Sequence, residues 1–386
     1  MGAYPIMPEE YQRQAMAGLI PPYPLKEFKA TVSVKTSERY PASFAGSLGY
    51  SEALASTEFH ISRLAEEASM TPYQYRLSME KEKRKFTDYL PGFELEEQKE
   101  TAAKAVQAST YERKWSANMF QKGDFSLLGY IRGIGMATGS GISGFSTGFS
   151  KKSGFSAVMT FTQKGNVTVN TSALCHPGIM KKWKKIISDR IIPGHPEHVM
   201  FLDYSGETAD TGPDVLSRIT ASFTSQLDSA AKNLAVLKES ETLPVSLRFD
   251  AENTYYPCEF ENAGCGTAIC EIMISESDYT PVVTELWAVL TFPEILDEST
   301  LLGSVKRAFL TSLSENGVAI PLDFRMHITI NATGAEGPVA AVGELVRALT
   351  EGALANALYQ AGGKEAAVLP ISARNLEEVF GKGGKP

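Results

Sequence analysis

The feature around which this chain is organised runs from residue 334 to residue 361, GAEGPVAAVGELVRALTEGALANALYQA. A loop of small residues leads into an apolar helix, and a single carboxylate, Glu344, sits at the junction. Glycine there lets a ligand or a second backbone come close, and the first turn of a helix presents N–H groups with no intrahelical partner. Apart from Arg347, no charge follows Glu344 until Glu351. Apolar surroundings raise the pKa of a carboxylate, which suits a general base or acid. A first-turn acid also complements the helix dipole, so spacing alone leaves both roles open.

The chain has 386 residues, 43% hydrophobic and 21% charged, enough for a sizeable core and for two domains. A composition break at Gly123 places the boundary near Asp124, giving domains 1–124 and 125–386. No apolar run reaches the length of a membrane span, and the N-terminus lacks a basic region followed by an apolar one. A cytoplasmic protein is expected, with no membrane partner. The net charge of -8 argues against nucleic acid, because phosphate binding needs a positive surface. Cys175, Cys258, Cys265 and Cys270 fit neither a zinc nor an iron–sulfur spacing and read as reduced thiols. His195 and His198, one loop apart in Pro-Gly-His-Pro-Glu-His, could bind a metal. We read that stretch as a loop before a strand at 199–202, and no metal ligand set is predicted.

In chain order, residues 1–24 are rich in proline and aromatic side chains and predict an extended arm suited to a partner subunit. Residues 28–36 alternate as a strand does, and Ala53, Thr57, Ile61, Leu64 and Ala68 repeat at helical spacing. Residues 80–116 are charged and helical in tendency. The glycines from Gly129 to Gly141 superficially suggest a nucleotide loop. More glycines follow, interleaved with phenylalanine, and no helix opens after them, so the stretch reads as a loop without a Rossmann fingerprint. A hairpin is expected at 156–171 around Lys164-Gly165, then a helix carrying Trp183, Ile187 and Ile191. A second helix places Phe223, Leu227, Ala231 and Leu234 at core spacing. Two strands follow, over 264–274 and 278–290, and then a helix over 301–313.

Several motifs resemble the molybdenum-binding large subunits of the xanthine dehydrogenase and aldehyde oxidoreductase family. Val342-Gly343-Glu344, the helix with Ala355-Asn356-Ala357, and Ala367-Val368-Leu369-Pro370-Ile371 are similar to the C-terminal signature of that family. Thr71-Pro-Tyr-Gln-Tyr-Arg76 resembles a family phrase at a helix end, and Arg132-Gly-Ile-Gly-Met-Ala resembles the opening of its second cofactor domain. The resemblance implies an α+β fold of mixed sheets with packed helices, formed by molybdopterin-binding domains. On it, 1–124 is an extended arm and the C-terminal part of a first cofactor domain, and 125–386 is a second. It implies that Glu344 is the catalytic base beside molybdenum held by a molybdopterin, as a dinucleotide. Residues implied near the cofactor are Ala45, Gly46 and Ser47 in the loop Phe44–Gly49, His176 and Gly178, Ser217 and Arg218, and Ala341, Val342 and Gly343. Ala45 stands where the family has an arginine facing substrate, and Gly178 alone survives of a Gly-Gln-Gly motif. Ser217 reads equally as a helix cap.

The implied activity is oxidative hydroxylation of a purine, N-heterocycle or aldehyde, with small molecules as substrates. A second molybdopterin-binding chain would supply the N-terminal half, since no glycine-rich Gly-Gly-Phe-Gly phrase precedes Tyr40. Iron–sulfur (FeS) and FAD groups would lie on partner chains. The alternative is a catalytically inactive structural subunit of such an assembly.

Overall fold

The computed structural model describes residues 8–21, 23–24, 29–33, 49–79, 95–125, 128–143, 155–173, 177–202, 218–251, 261–334, 342–363 and 365–381. Among them are ten α-helices, a 3-10 turn at Pro196–His198 and eight strands. The helices are α1 (Pro8–Leu19), α2 (Tyr50–Glu67), α3 (Pro72–Met79), α4 (Leu95–Ser109) and α5 (Tyr111–Met119). They continue as α6 (Pro177–Ile191), α7 (Arg218–Ser240), α8 (Glu298–Glu315), α9 (Val342–Gly362) and α10 (Ala373–Gly381). The strands are β1 (Tyr130–Ser143), β2 (Phe155–Phe161), β3 (Val167–Thr171), β4 (Val199–Leu202), β5 (Val245–Ala251), β6 (Glu261–Ser275), β7 (Pro281–Phe292) and β8 (Arg325–Ala332). They form two mixed four-stranded sheets, ordered β1-β6-β7-β8 and β4-β3-β2-β5, the α+β architecture that the resemblance implies.

The first sheet is antiparallel except for the parallel pair β7/β8, and its two faces follow the period of two along β1. Ile131 and Ala137 join the core formed with α8 and α9, whereas Ile134 and Met136 pack with Ala105 of α4 and Tyr111 of α5. A Cβ on Gly133 would run into the carbonyl of Ala357, and one on Gly135 into the backbone of Ala353 and Ala357. These two glycines let α9 lie flush on the strand. Small residues on the helix complete the fit, and α9 is buried along almost its whole length.

As an edge strand, β1 turns backbone groups away from β6 that need partners from elsewhere. Four side chains at two-residue steps supply them. Gln360 Oε1 accepts from Ile134 N at 2.6 Å, and Asn356 Nδ2 donates to Met136 O at 2.7 Å. Glu58 Oε2 accepts from Thr138 N at 2.7 Å, and the Tyr50 hydroxyl donates to Ser140 O. An orphaned buried group costs about 1–3 kcal/mol, so these polar residues of α2 and α9 act as a substitute strand. Glu58 is in turn paired with Arg76 at 2.8 Å, both side chains being almost fully buried. Arg76 also donates to the Tyr23 hydroxyl (2.8 Å), Pro72 O (2.9 Å) and Ser62 Oγ (3.2 Å), so α3 and the segment after α1 are tied to the same edge.

In the second sheet β2 pairs antiparallel with β3 and β5, while β3 and β4 run parallel through α6. The expected hairpin closes at a left-handed Gly165, with Thr162 N bonded to Asn166 O. Trp183, Ile187 and Ile191 of α6 and Phe223, Leu227, Ala231 and Leu234 of α7 form its core, as their spacing predicts.

Three expectations are corrected. Residues 8–19 are helix α1, not an extended arm. Pro8 stands at the first helical position, where its missing N–H costs nothing, and the later prolines follow the helix end. Ala15, Ala17, Ile20 and Tyr23 are buried within this chain, so the segment packs here rather than waiting for a partner. The glycine-rich stretch read as a loop is the fourteen-residue strand β1. Residues 29–33, read as part of a strand, carry no strand assignment, and the rest of 28–36 except these five lies outside the described residues. Cys265 and Cys270 are buried thiols of β6, which burial pushes up to about 12. Cys175 and Cys258 lie outside the described residues. Among the described residues no helix is long and apolar enough to cross a membrane.

Candidate active site

Glu344 occupies the first turn of α9 and is buried. The N-terminus of α2 meets it there, because Ser51 Oγ donates to Glu344 O at 2.9 Å. Helix α2 begins just after a left-handed Gly49, where a Cβ would meet the Tyr11 ring of α1. Tyr50, the first residue of α2, is fully buried. Burial, with the nearby Glu344 carboxylate adding to it, pushes its hydroxyl well above the usual tyrosine range. Two helix N-termini therefore meet at Glu344, and the positive end of each helix dipole favours a carboxylate there. A Cβ on Gly343 would meet nothing within 4 Å among the described residues. Close by, Ser140 Oγ is buried with no hydrogen-bond partner among them.

Further along α9, Arg347 lies 2.5 Å from Glu315 of α8 and 2.9 Å from Glu351. Burial pushes Glu351 up to about 7, with Glu52 and Glu315 acting in the same direction and Arg347 and Asn316 opposing. Glu344, Arg347 and Glu351 are three and seven residues apart, which brings them to neighbouring turns of the same helix.

A second convergence lies at one end of the other sheet. Trp183 Nε1 donates to Thr224 Oγ1 at 2.8 Å, Arg190 Nε meets Asp228 Oδ1 at 2.6 Å, and Lys238 Nζ donates to Ile191 O at 2.8 Å. These contacts advance together along both helices, so α6 and α7 run in the same direction. Gly178, second residue of α6, and Arg218, first residue of α7, therefore sit at the same end, beyond the carboxyl ends of β3 and β4. Parallel strands followed by helix N-termini are a common setting for anionic ligands.

The structure thus unites Val342, Gly343 and Glu344 with the residues just after the 45–47 loop, and separately places Gly178 and Arg218 at the same end of the second sheet. Ala45, Gly46, Ser47, His176, Ser217 and Ala341 lie outside the described residues. Sequence reasoning missed Tyr50 and Ser51, whose contact with α9 spans 293 positions and leaves no local signal. It noted Arg347 and Glu351 only as charges; their spacing from Glu344 was the available clue.

No family model matches the chain, and no curated protein does. Solved structures do. Quinoline 2-oxidoreductase from Pseudomonas putida 86 matches with TM-score 0.73 at 13% identity, over 98% of this chain and 58% of its own. A Cu,Mo-CO dehydrogenase matches with TM-score 0.66 at 13% identity, over 86% and 52%. Aldehyde oxidoreductase from Desulfovibrio gigas matches with TM-score 0.62 at 15% identity, over 89% and 42%. The chain spans about half the length of these structures. At such identities the likeness is one of fold alone: over that half, this chain is folded as these two oxidoreductases and this dehydrogenase are.

Proposed function

We propose that this chain is the molybdopterin-binding subunit of a cytoplasmic, multi-subunit molybdenum hydroxylase. Its substrate would be a purine, N-heterocycle or aldehyde, hydroxylated at an electron-poor carbon with oxygen from water. The observation that carries the reading is Glu344, a buried carboxylate where the N-termini of α9 and α2 meet, in a fold shared with oxidoreductases.

The described residues fit a molybdopterin dinucleotide in three respects. Phosphates suit the N–H groups at the starts of α6 and α7, where Gly178 and Arg218 stand. Gly343 leaves its backbone open to contact, since a Cβ there would meet no described atom within 4 Å. Ser140 Oγ is a buried polar atom without a hydrogen-bond partner among the described residues. On this reading Val342 and Gly343, with Ala341, Ala45, Gly46, Ser47, His176 and Ser217, complete the cofactor contacts. Residues 1–124 are the end of one cofactor domain and 125–386 a second.

When bound, the molybdenum centre supplies the two-electron oxidation. Glu344 accepts a proton at a carboxylate oxygen as the water-derived oxygen adds to the substrate carbon, and burial withholds competing solvent. Ser51 fixes the turn that carries Glu344 by bonding its carbonyl. A second molybdopterin-binding chain, an iron–sulfur subunit and an FAD subunit complete the assembly.

A second reading, a structural subunit that binds no cofactor, is favoured by Ala45 in place of the family's arginine. Metal and pterin analysis of the intact complex separates the two: stoichiometric molybdenum with pterin is expected, and its absence would sink the enzyme. In a molybdenum-loaded complex Glu344→Gln should lower turnover by about 10²–10⁴-fold with cofactor content unchanged. Full turnover in that variant would make Glu344 a helix-end charge.

A further inference from the structure

We propose a binding site for a divalent transition-metal ion of the zinc, nickel or copper class on the turn between α6 and β4, formed by His195, Glu197 and His198. The 3-10 turn Pro196–His198 and the residue before it, His195, present the three side chains outward. His195 Nδ1 lies 3.0 Å from Glu197 Oε1, and His198 Nε2 lies 3.8 Å from the same oxygen. The three donor atoms all fall within 4.8 Å of one another. Tetrahedral bonds of about 2.0–2.2 Å place ligand atoms roughly 3.4 Å apart, so half-exposed rings need only small rotations to close on an ion.

Orientation of one ligand is already built in. Asn166 Oδ1 lies 2.7 Å from His198 Nδ1. A carbonyl oxygen only accepts, so Nδ1 carries the proton and the lone pair is left on Nε2, the nitrogen that faces Glu197. The fold imposes this contact. Strands β3 and β4 are registered Val167 to Val199, and Asn166 and His198 are the residues immediately before that pair.

Two imidazoles and a carboxylate select borderline ions over magnesium or calcium. Three protein ligands at the surface leave a fourth position for water or for a donor from another molecule. The site stands at the amino ends of β3 and β4, opposite the ends where Gly178 and Arg218 gather, so it is independent of the proposed cofactor.

The test uses the full chain without affinity histidines, stripped by chelator and titrated with Zn²⁺ by calorimetry and with Cu²⁺ by electron paramagnetic resonance. One site per chain is expected, with nitrogen coupling from two imidazoles. Asn166→Ala should weaken Zn²⁺ binding by about 10–100-fold, the usual effect of removing an outer-sphere partner, and His198→Ala by more. Binding should weaken in acid, because an imidazole must give up its proton to ligate a metal. Circular dichroism of each variant should match the parent, since the two histidines are exposed and Asn166 is only partly buried. No Zn²⁺ binding to the parent, or equal affinity in the His195→Ala/His198→Ala double variant, would overturn the site. Unchanged affinity in Asn166→Ala would overturn its oriented geometry.

Discussion

Glu351→Gln probes the electrostatics of the helix that carries Glu344. Burial, reinforced by Glu52 and Glu315, lifts the Glu351 carboxyl from 4.5 to about 7 despite Arg347. Because the folded-state value lies above the unfolded one, the native protein holds an extra proton between those two pH values. Stability is therefore fully present below about pH 4.5 and falls as pH rises through about 7. The difference, 7 − 4.5 = 2.5 units, corresponds to about 3 kcal/mol at ~1.36 kcal/mol per unit. Glutamine keeps the shape and cannot ionise, and Arg347 retains Glu315 at 2.5 Å. The variant should match the parent in acid and exceed it by up to about 3 kcal/mol above neutrality. Urea denaturation of both proteins across that pH range measures the gap directly, and subtraction cancels every other titrating group. A gap that stays flat with pH would refute the reasoning, since it would mean that folding leaves the affinity of this carboxyl for its proton unchanged.

Arg76→Met leaves Glu58 buried without its ion partner and should cost about 3–5 kcal/mol, read as a shifted denaturation midpoint at constant slope. A change within about 0.5 kcal/mol, the range of ordinary surface substitutions, would show that the pair is dispensable. Gly135→Val supplies a residue that favours strands but drives its Cβ into the α9 backbone, so the loss should reach or exceed the ~1–3 kcal/mol of ordinary overpacking. Gly303→Ala on α8, where a Cβ meets nothing, should instead stabilise by about 0.8–1 kcal/mol; the same sign at both glycines would contradict the packing.

Helical periodicity located α2, α6 and α7, and alternation with a Lys-Gly turn located the β2/β3 hairpin, because in each case the pattern and its partner lie close in sequence. The exceptions share a cause. Strand β1 reads as a loop because its glycines answer to α9, which lies far along the chain. Helix α1 reads as an arm because Pro8, Pro21, Pro22 and Pro24 dominate the composition although none lies inside the helix past its first position. At the site, Gly343 and Glu344 were legible as a loop-to-helix junction. Tyr50 and Ser51 were not, since an ordinary helix start gives no sign of what it will abut.

The glycines of β1 and the polar residues of α9 are two halves of one constraint on Glu344. Gly133 and Gly135 let the helix backbone touch the strand, which removes the space for side chains that would otherwise define the register between them. Asn356 and Gln360 restore that register by bonding Met136 O and Ile134 N, groups fixed by the strand itself. Toward the other end of the β1 edge, Glu58 and Tyr50 of α2 bond Thr138 N and Ser140 O, so α2 is indexed to the same strand. Ser51 then joins the start of α2 to the first turn of α9. The position of Glu344 is thus fixed through a rigid strand by two helices, and a slip of either one costs at least one buried hydrogen bond, about 1–3 kcal/mol. A general base needs this kind of placement, because proton transfer depends on hydrogen-bond reach before it depends on pKa.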